Sequence, residues 1–455
     1  MAENDVHPAD PDGGERQQPL EADRLRDLLL APGYLKALGF SAAIGVPVSL
    51  VAFWFLVALH ELEHLMWADL PRDLGWDTPP WWWPLPLFLV AGVLVGLIAL
   101  RLPGGGGQVP ASGLHAGGTS PAMLPGVLLA AAVSLPLGAV LGPEAPLIAL
   151  GGGLALVFRD LARVPATPKS TALLAAAGAA AAVAAIFGNP LVAAVLLMEV
   201  VGAGGPQLFA VMLPALLSSG VGALVFTGIG HWTGLETGSL SLRLPMPFPR
   251  LDVGDVLWAV PFALVVALLL HPVLGAARRV AAFVSAGVAT RTALCAVAAA
   301  ACAALYTLAT GRSPAEVALS GQATLGQLAA DPHAWGVGAL IAVLALKGTA
   351  YALCLGSLRG GLVFPALFLG AAAGVLLAPL PGLGLVPAMA AGMGAAAAAT
   401  LRLPVSSVVL VSLLLGGTEM IPVVILAAVI AFVATELLPR HQPAGGGRTG
   451  PVHGP

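Results

Sequence analysis

Two distant stretches of this chain interrupt an apolar run in the same way. Pro146-Leu147-Ile148-Ala149-Leu150-Gly151 is paralleled by Pro365-Ala366-Leu367-Phe368-Leu369-Gly370. Phe187-Gly188-Asn189-Pro190, followed by an apolar run, is paralleled by Leu401-Arg402-Leu403-Pro404 and a similar run. Proline lacks an N–H and is tolerated at the first position of a helix. Each half therefore reads as a Pro-opened half-helix, a run of small residues and a Pro-broken span. Charged residues make up 9% of the 455 residues and hydrophobic ones 58%, with mean hydropathy +0.93. So little charge cannot cover a soluble domain of this length. The chain reads as an all-α polytopic membrane protein of two halves with broken and re-entrant helices. In a bilayer, non-helical backbone survives only where it lines a cavity or is buried in protein. Matched breaks in two halves thus place a substrate site at their interface.

The stretch Leu141-Gly142-Pro143-Glu144-Ala145-Pro146 carries a lone carboxylate between apolar runs. An ionisable group at membrane depth is costly and by default functional. The flanking prolines place Glu144 at a helix start, facing free N–H groups and the positive end of the dipole. Such a place is an anion site made of backbone. A carboxylate there can occupy the site, and can leave it when protonated.

Gly142-Pro143-Glu144-Ala145-Pro146 resembles the Gly-Arg-Glu-Gly-Pro motif of the CLC chloride channel and transporter family, in which the Glu is the gate. The departures are at Pro143 and Ala145. Lys347, Gly356-Ser357, Gly360-Gly361 and Pro365 resemble that family's Lys, Gly-Ser-Gly and Gly-Gly-x-Phe-x-Pro pattern. Gly106-Gly107-Gln108-Val109-Pro110 stands where the family has Gly-Ser-Gly-Ile-Pro, with Gly107 in place of the anion-binding Ser. The only tyrosines are Tyr34, Tyr306 and Tyr351, so the Tyr that the family places near its last helix is absent. Counting from Pro190, Glu199 falls on a family Glu and is a possible point on a proton path. Val200 follows, where proton-coupled members often have a second Glu. The resemblance implies anion ligands at Gly107, Gln108, Glu144, Ala145, Leu362 and Val363, a homodimer and no cofactor.

Hydropathy divides the chain into a disordered tail (1–33), a first membrane repeat (34–230), a connector (231–255), a second repeat (256–438) and a disordered tail (439–455). Spans are expected at Tyr34–Trp67, Pro84–Leu100, 206–229, Val256–Leu274 and Thr292–Thr310. The segment 311–333 is expected partly outside. Trp81, Trp82 and Trp83 read as an interfacial belt, and Lys347 lies too deep in its span to snorkel. Arg159, Arg163 and Lys169 mark a cytoplasmic loop by the positive-inside bias. The protein is expected in the cell membrane with both termini cytoplasmic. The three cysteines show no metal spacing, and the net charge of -3 does not point to nucleic acid.

His60-Glu61-Leu62-Glu63-His64 matches H-E-x-x-H, the helix-borne pattern of zinc proteases. Without an obvious third ligand, or any Asp-Gly pair beyond Asp12-Gly13, it reads instead as the point where the first helix leaves the membrane. The expected function is a passive chloride or small-anion channel gated by Glu144, and not an enzyme. The alternatives are a chloride/proton antiporter of the same family and, from another class, an intramembrane zinc protease.

Overall fold

A computed structural model describes residues 26, 29–30, 32–114, 119–202, 206–235, 237 and 251–439. Most of the disordered tails expected at both ends and most of the expected connector lie outside the described residues; the first helix begins at Pro32, inside the tail expected to run to 33. What is described is helical, and seven of the helices are long and apolar enough to cross a membrane.

The first repeat contains α1 (Pro32–His64), α2 (Leu70–Asp73), α3 (Pro84–Arg101), α4 (Leu124–Ser134), α5 (Glu144–Leu161), α6 (Pro168–Phe187), α7 (Pro190–Val201) and α8 (Pro206–Thr233). The second contains α9 (Val253–Ser285), α10 (Val288–Thr310), α11 (Gln322–Ala330), α12 (Val337–Ser357), α13 (Val363–Leu377), α14 (Leu385–Leu401), α15 (Pro404–Leu415) and α16 (Ile421–Leu437). The parallel read from the sequence is present in space. Pro190 opens α7 after the left-handed Gly188 (φ 61°), and Pro404 opens α15 after the left-handed Arg402 (φ 57°). Asn189 caps α7, its Oδ1 accepting from Leu191 N at 2.9 Å.

The half-helices cross their neighbours in the same way in both repeats. Gly151 of α5 lies against the backbone of Gly178 in α6, and Gly370 of α13 lies against Gly392 in α14. A Cβ at any of these four positions would run into a backbone carbonyl. Lipid tails provide no hydrophobic drive between helices, so such close backbone approach is what holds them together.

Several boundaries differ from the hydropathy reading. The first helix does not end at Trp67; it continues through a π-helical turn at Leu65–Asp69 into α2. His60 through His64 therefore lie within a continuous helical segment and not at its end. Trp83 is buried, and its indole donates to the Met66 carbonyl in that π turn at 3.0 Å, so only Trp81 and Trp82 are exposed as a belt requires. α9 starts earlier than Val256 because Asp252 and Asp255 form a reciprocal capping box. The segment after α10 is packed inward: Leu325 and Leu328 of α11 are fully buried.

Candidate anion site

The starts of α5 and α13 meet at the junction of the two repeats. Gly142 and Gly361 form an isolated antiparallel bridge. Gly142 N donates to Gly361 O at 2.9 Å, and Gly361 N returns a bond to Gly142 O. This ties together the two half-helix N-termini, whose dipoles then add at one place.

Glu144 occupies that place. Its side chain is 1% exposed, and Oε1 accepts from Phe364 N, in the first turn of α13, at 3.1 Å. The amides of Glu144 and Val363 also face the carboxyl group, while Oε2 has no hydrogen-bond partner. A carboxylate borne by one repeat thus caps the helix of the other. The expected donors, Leu362 and Val363, stand at this same helix start, with the Val363 amide facing the carboxyl beside that of Phe364. Leu362 is the N-cap of α13, and the direct bond comes from Phe364.

Glycine is required at both ends of the bridge. A Cβ on Gly142 or Gly361 would occupy the volume of the Glu144 carboxyl. Gly361→Ala should therefore expel the carboxyl group from its seat. Anion efflux from liposomes should rise and lose most of its pH dependence. Efflux equal to wild type at every pH would contradict this.

Cavities approach the carboxyl from either side along the chain. One of 330 Å³ is lined by Gly107, Gln108, Ala145 and Leu362, together with Arg359. It brings four of the expected anion-binding residues together. It shares Val109, Pro110, Gly113 and Leu362 with a wider cavity of 680 Å³ lined also by Arg278 and Arg402. Another, of 270 Å³, is lined by Pro143 and Leu141, with His60, Glu63, Ser320 and Gln322. Pro143 lines one cavity and Ala145 the other, so the two approaches reach the chain on either side of Glu144.

The zinc-protease reading gains no support. His64 Nδ1 bonds Asp69 Oδ2 at 3.0 Å, His60 and Glu63 face the 270 Å³ cavity, and no group of three potential metal ligands occurs among the described residues.

Comparison with known proteins agrees with this geometry. The family model described as voltage gated chloride channel matches residues 105–436. The chain belongs to this CLC family. Solved structures similar to it include a slow cyanobacterial Cl-/H+ antiporter, with TM-score 0.73 and 20% identity over 88% of this chain and 94% of that one. A CLC-type fluoride/proton antiporter follows at TM-score 0.68 and 20% identity, covering 88% and 96%. A eukaryotic CLC transporter gives 0.67 and 18%, covering 89% and 72%. At these identities the likeness is one of fold. YfeO of Salmonella choleraesuis (strain SC-B67) and of Salmonella newport (strain SL254), ion-transport proteins by name, are each 29% identical over 48% of this chain and 55% of their own length. The chain thus spans about half the length of these curated relatives.

The partners of Tyr351 and Lys347, and Arg359 itself, escaped sequence reading. Tyr351, fully buried, donates its hydroxyl to Leu362 O at 2.6 Å and so holds the N-cap of α13. Lys347 is fully buried, and its three ammonium N–H donors are shared among four carbonyls. Arg359 is the third, and a lone arginine in an apolar stretch was the available signal. Glu199 is placed at α15: Oε1 accepts from Val405 N at 3.1 Å, and Oε2 from Ser406 N at 2.7 Å and Ser406 Oγ at 2.6 Å. It caps the second repeat's Pro-opened helix, a second inter-repeat carboxylate cap. Glu199→Ala should cost about 1–2 kcal/mol, the scale of a helix N-cap. Thermal unfolding in detergent would read this as a lowered midpoint, and an unchanged midpoint would show the cap to be dispensable.

Proposed function

We propose that this CLC-family chain passes small anions, chloride among them, through the membrane as a passive channel gated by Glu144. The observation that carries this reading is the seat of the carboxylate. It lies on the amides of the opposite repeat's helix start, on a segment that two cavities reach from either side, where a dehydrated anion would otherwise be held.

As a carboxylate, Glu144 competes with the anion for the Phe364 amide. Once protonated, it has lost the charge that holds it at the helix N-termini, and the anion takes its place. Transport then rises as pH falls. The side bearing Arg159, Arg163, Arg278 and Arg402 faces the cytoplasm, and its charges raise the local anion concentration. The unit is a homodimer with one path per subunit, in keeping with the family resemblance; cross-linking in native membranes tests this.

Proton-coupled exchange is the second reading, favoured by Glu144 itself, which can carry a proton as well as gate. Against coupling stand Val200, which cannot carry one, and Glu199, whose two oxygens accept three hydrogen bonds at α15. The test is chloride efflux from proteoliposomes with internal pH followed together. Efflux without proton movement supports the channel. Stoichiometric proton uptake replaces it with the exchanger, and absence of any anion flux removes both.

A further inference from the structure

Arg359 is a buried charge whose compensation among the described residues is incomplete. It follows α12 and precedes the Gly360-Gly361 turn, 9% exposed. It makes no ion pair among the described residues. Nη1 reaches Ser357 O at 3.4 Å and Leu358 O at 3.3 Å, and Nη2 reaches Gly105 O at 3.2 Å. A guanidinium has five N–H groups. Three bonds leave two donors unspent, one of them on Nε, which is buried without any partner. Nε and Nη2 share one edge of the planar group, the edge that pairs with planar oxyanions in parallel hydrogen bonds, and the Nε–H on that edge is unpartnered.

A buried cation held only by neutral carbonyls is costly. The cost falls if an anion joins it. The residue lines the 330 Å³ cavity, opposite Ala145 at the start of α5. This is also where the Gly-rich turn has Gly107 and no hydroxyl to offer. Arg359 N accepts its own support from the first repeat, donating to Ser134 Oγ at 3.3 Å, so the backbone carrying the charge is fixed across the repeat junction.

We propose that Arg359 anchors an anion-binding site in this cavity. The ligand class is small monovalent anions, with planar oxyanions such as nitrate bound more tightly than halides. The inference rests on the anion-transport reading above and adds a charged side-chain ligand to a site otherwise made of backbone and Gln108. Arg359 also draws Gly105 toward Leu358, so a purely structural role must be separated from a ligand role.

The experiment is thermal unfolding of the purified full-length protein, titrated with chloride or nitrate against gluconate at constant ionic strength. A bound anion raises the midpoint by mass action. Wild type should respond to nitrate at lower concentration than to chloride. Arg359→Gln should need about tenfold more chloride, the scale of one charge-assisted hydrogen bond, and a larger increase in nitrate, whose advantage comes from the lost planar edge. Arg359→Lys should stay near wild type for chloride and lose the advantage of nitrate, because it keeps the charge and not the planar edge. A lowered midpoint in Arg359→Gln with unchanged half-saturating concentrations makes the residue a staple and overturns the proposal. If Arg359→Gln does not fold, Arg359→Lys decides: an unchanged nitrate-to-chloride ratio overturns it. Anion flux with no Arg359 dependence overturns this inference alone, whereas neither flux nor binding in wild type overturns the transport reading as well.

Discussion

Glu144→Gln in proteoliposomes will give anion efflux that varies by less than about twofold across the pH range in which wild-type efflux rises steeply. The wild-type slope has an upper bound. One titrating carboxyl changes its protonated fraction by about tenfold per pH unit at most, so the open fraction can change no faster. The sign follows from the seat of the carboxyl. Phe364 N donates to Oε1, and two helix N-termini face the group, so the ionised form is the one held in place. Acid removes the charge and frees the seat. Glutamine keeps the size of the side chain and removes the titration, so Glu144→Gln should behave at all pH as wild type does in acid. Glutamine can still donate or accept at the helix start, and its residual bond is worth only about 1 kcal/mol. Wild-type pH dependence retained in Glu144→Gln would move the gate elsewhere. His60 and Glu63, which line the cavity on the Pro143 side, would be the next groups to test.

The parts of this site differ in how far they were legible in the sequence, and the difference is physical. Proline constrains its own backbone, so the starts of α7 and α15 could be read from Pro190 and Pro404. Glu144 was legible because a lone carboxylate in an apolar run has few structural reasons to be there. The start of the opposite helix was legible to the residue pair Leu362 and Val363, but the direct bond from Phe364 was not, because the helix start is set by the backbone angles of Leu362 and not by a motif. Partners from the other repeat are less visible still. Nothing near Glu199 indicates that it caps Val405 and Ser406, some two hundred residues later. Lys347 and Arg359 are conspicuous in the sequence, but their partners are main-chain carbonyls, which every residue has. The ends of α9 were misjudged because hydropathy reports only the apolar part of a helix, while Asp252 and Asp255 start it from the polar side.

Lys347→Met should cost about 1–3 kcal/mol of stability, the scale for leaving buried acceptors without a donor. Nζ lies within hydrogen-bond distance of Glu316 O at 3.2 Å, Val317 O at 3.1 Å, Ala318 O at 3.1 Å and Leu319 O at 3.2 Å. It also sits 5.1 Å from the centre of the Phe368 ring. Methionine matches the volume of the stem, so cavity formation is a minor effect. The dominant effect is four carbonyls that lose the three donors they share in a buried site. Leu319 adds to this. It holds a left-handed backbone (φ 64°), a conformation costing an ordinary residue roughly 1–2 kcal/mol, and the ammonium is what its carbonyl gains there. Leu319 N in turn donates to Gly138 O at 2.9 Å, four residues before the bridge at Gly142. The loop held by Lys347 therefore stands directly behind the segment that positions Glu144. Beyond the lowered unfolding midpoint, Lys347→Met should raise anion efflux at neutral pH, where the closed gate depends on that segment. A variant with wild-type stability would show that water or a relaxed loop replaces these bonds. A destabilised variant with an unchanged closed state would show that the bridge between Gly142 and Gly361 holds the gate without support from behind.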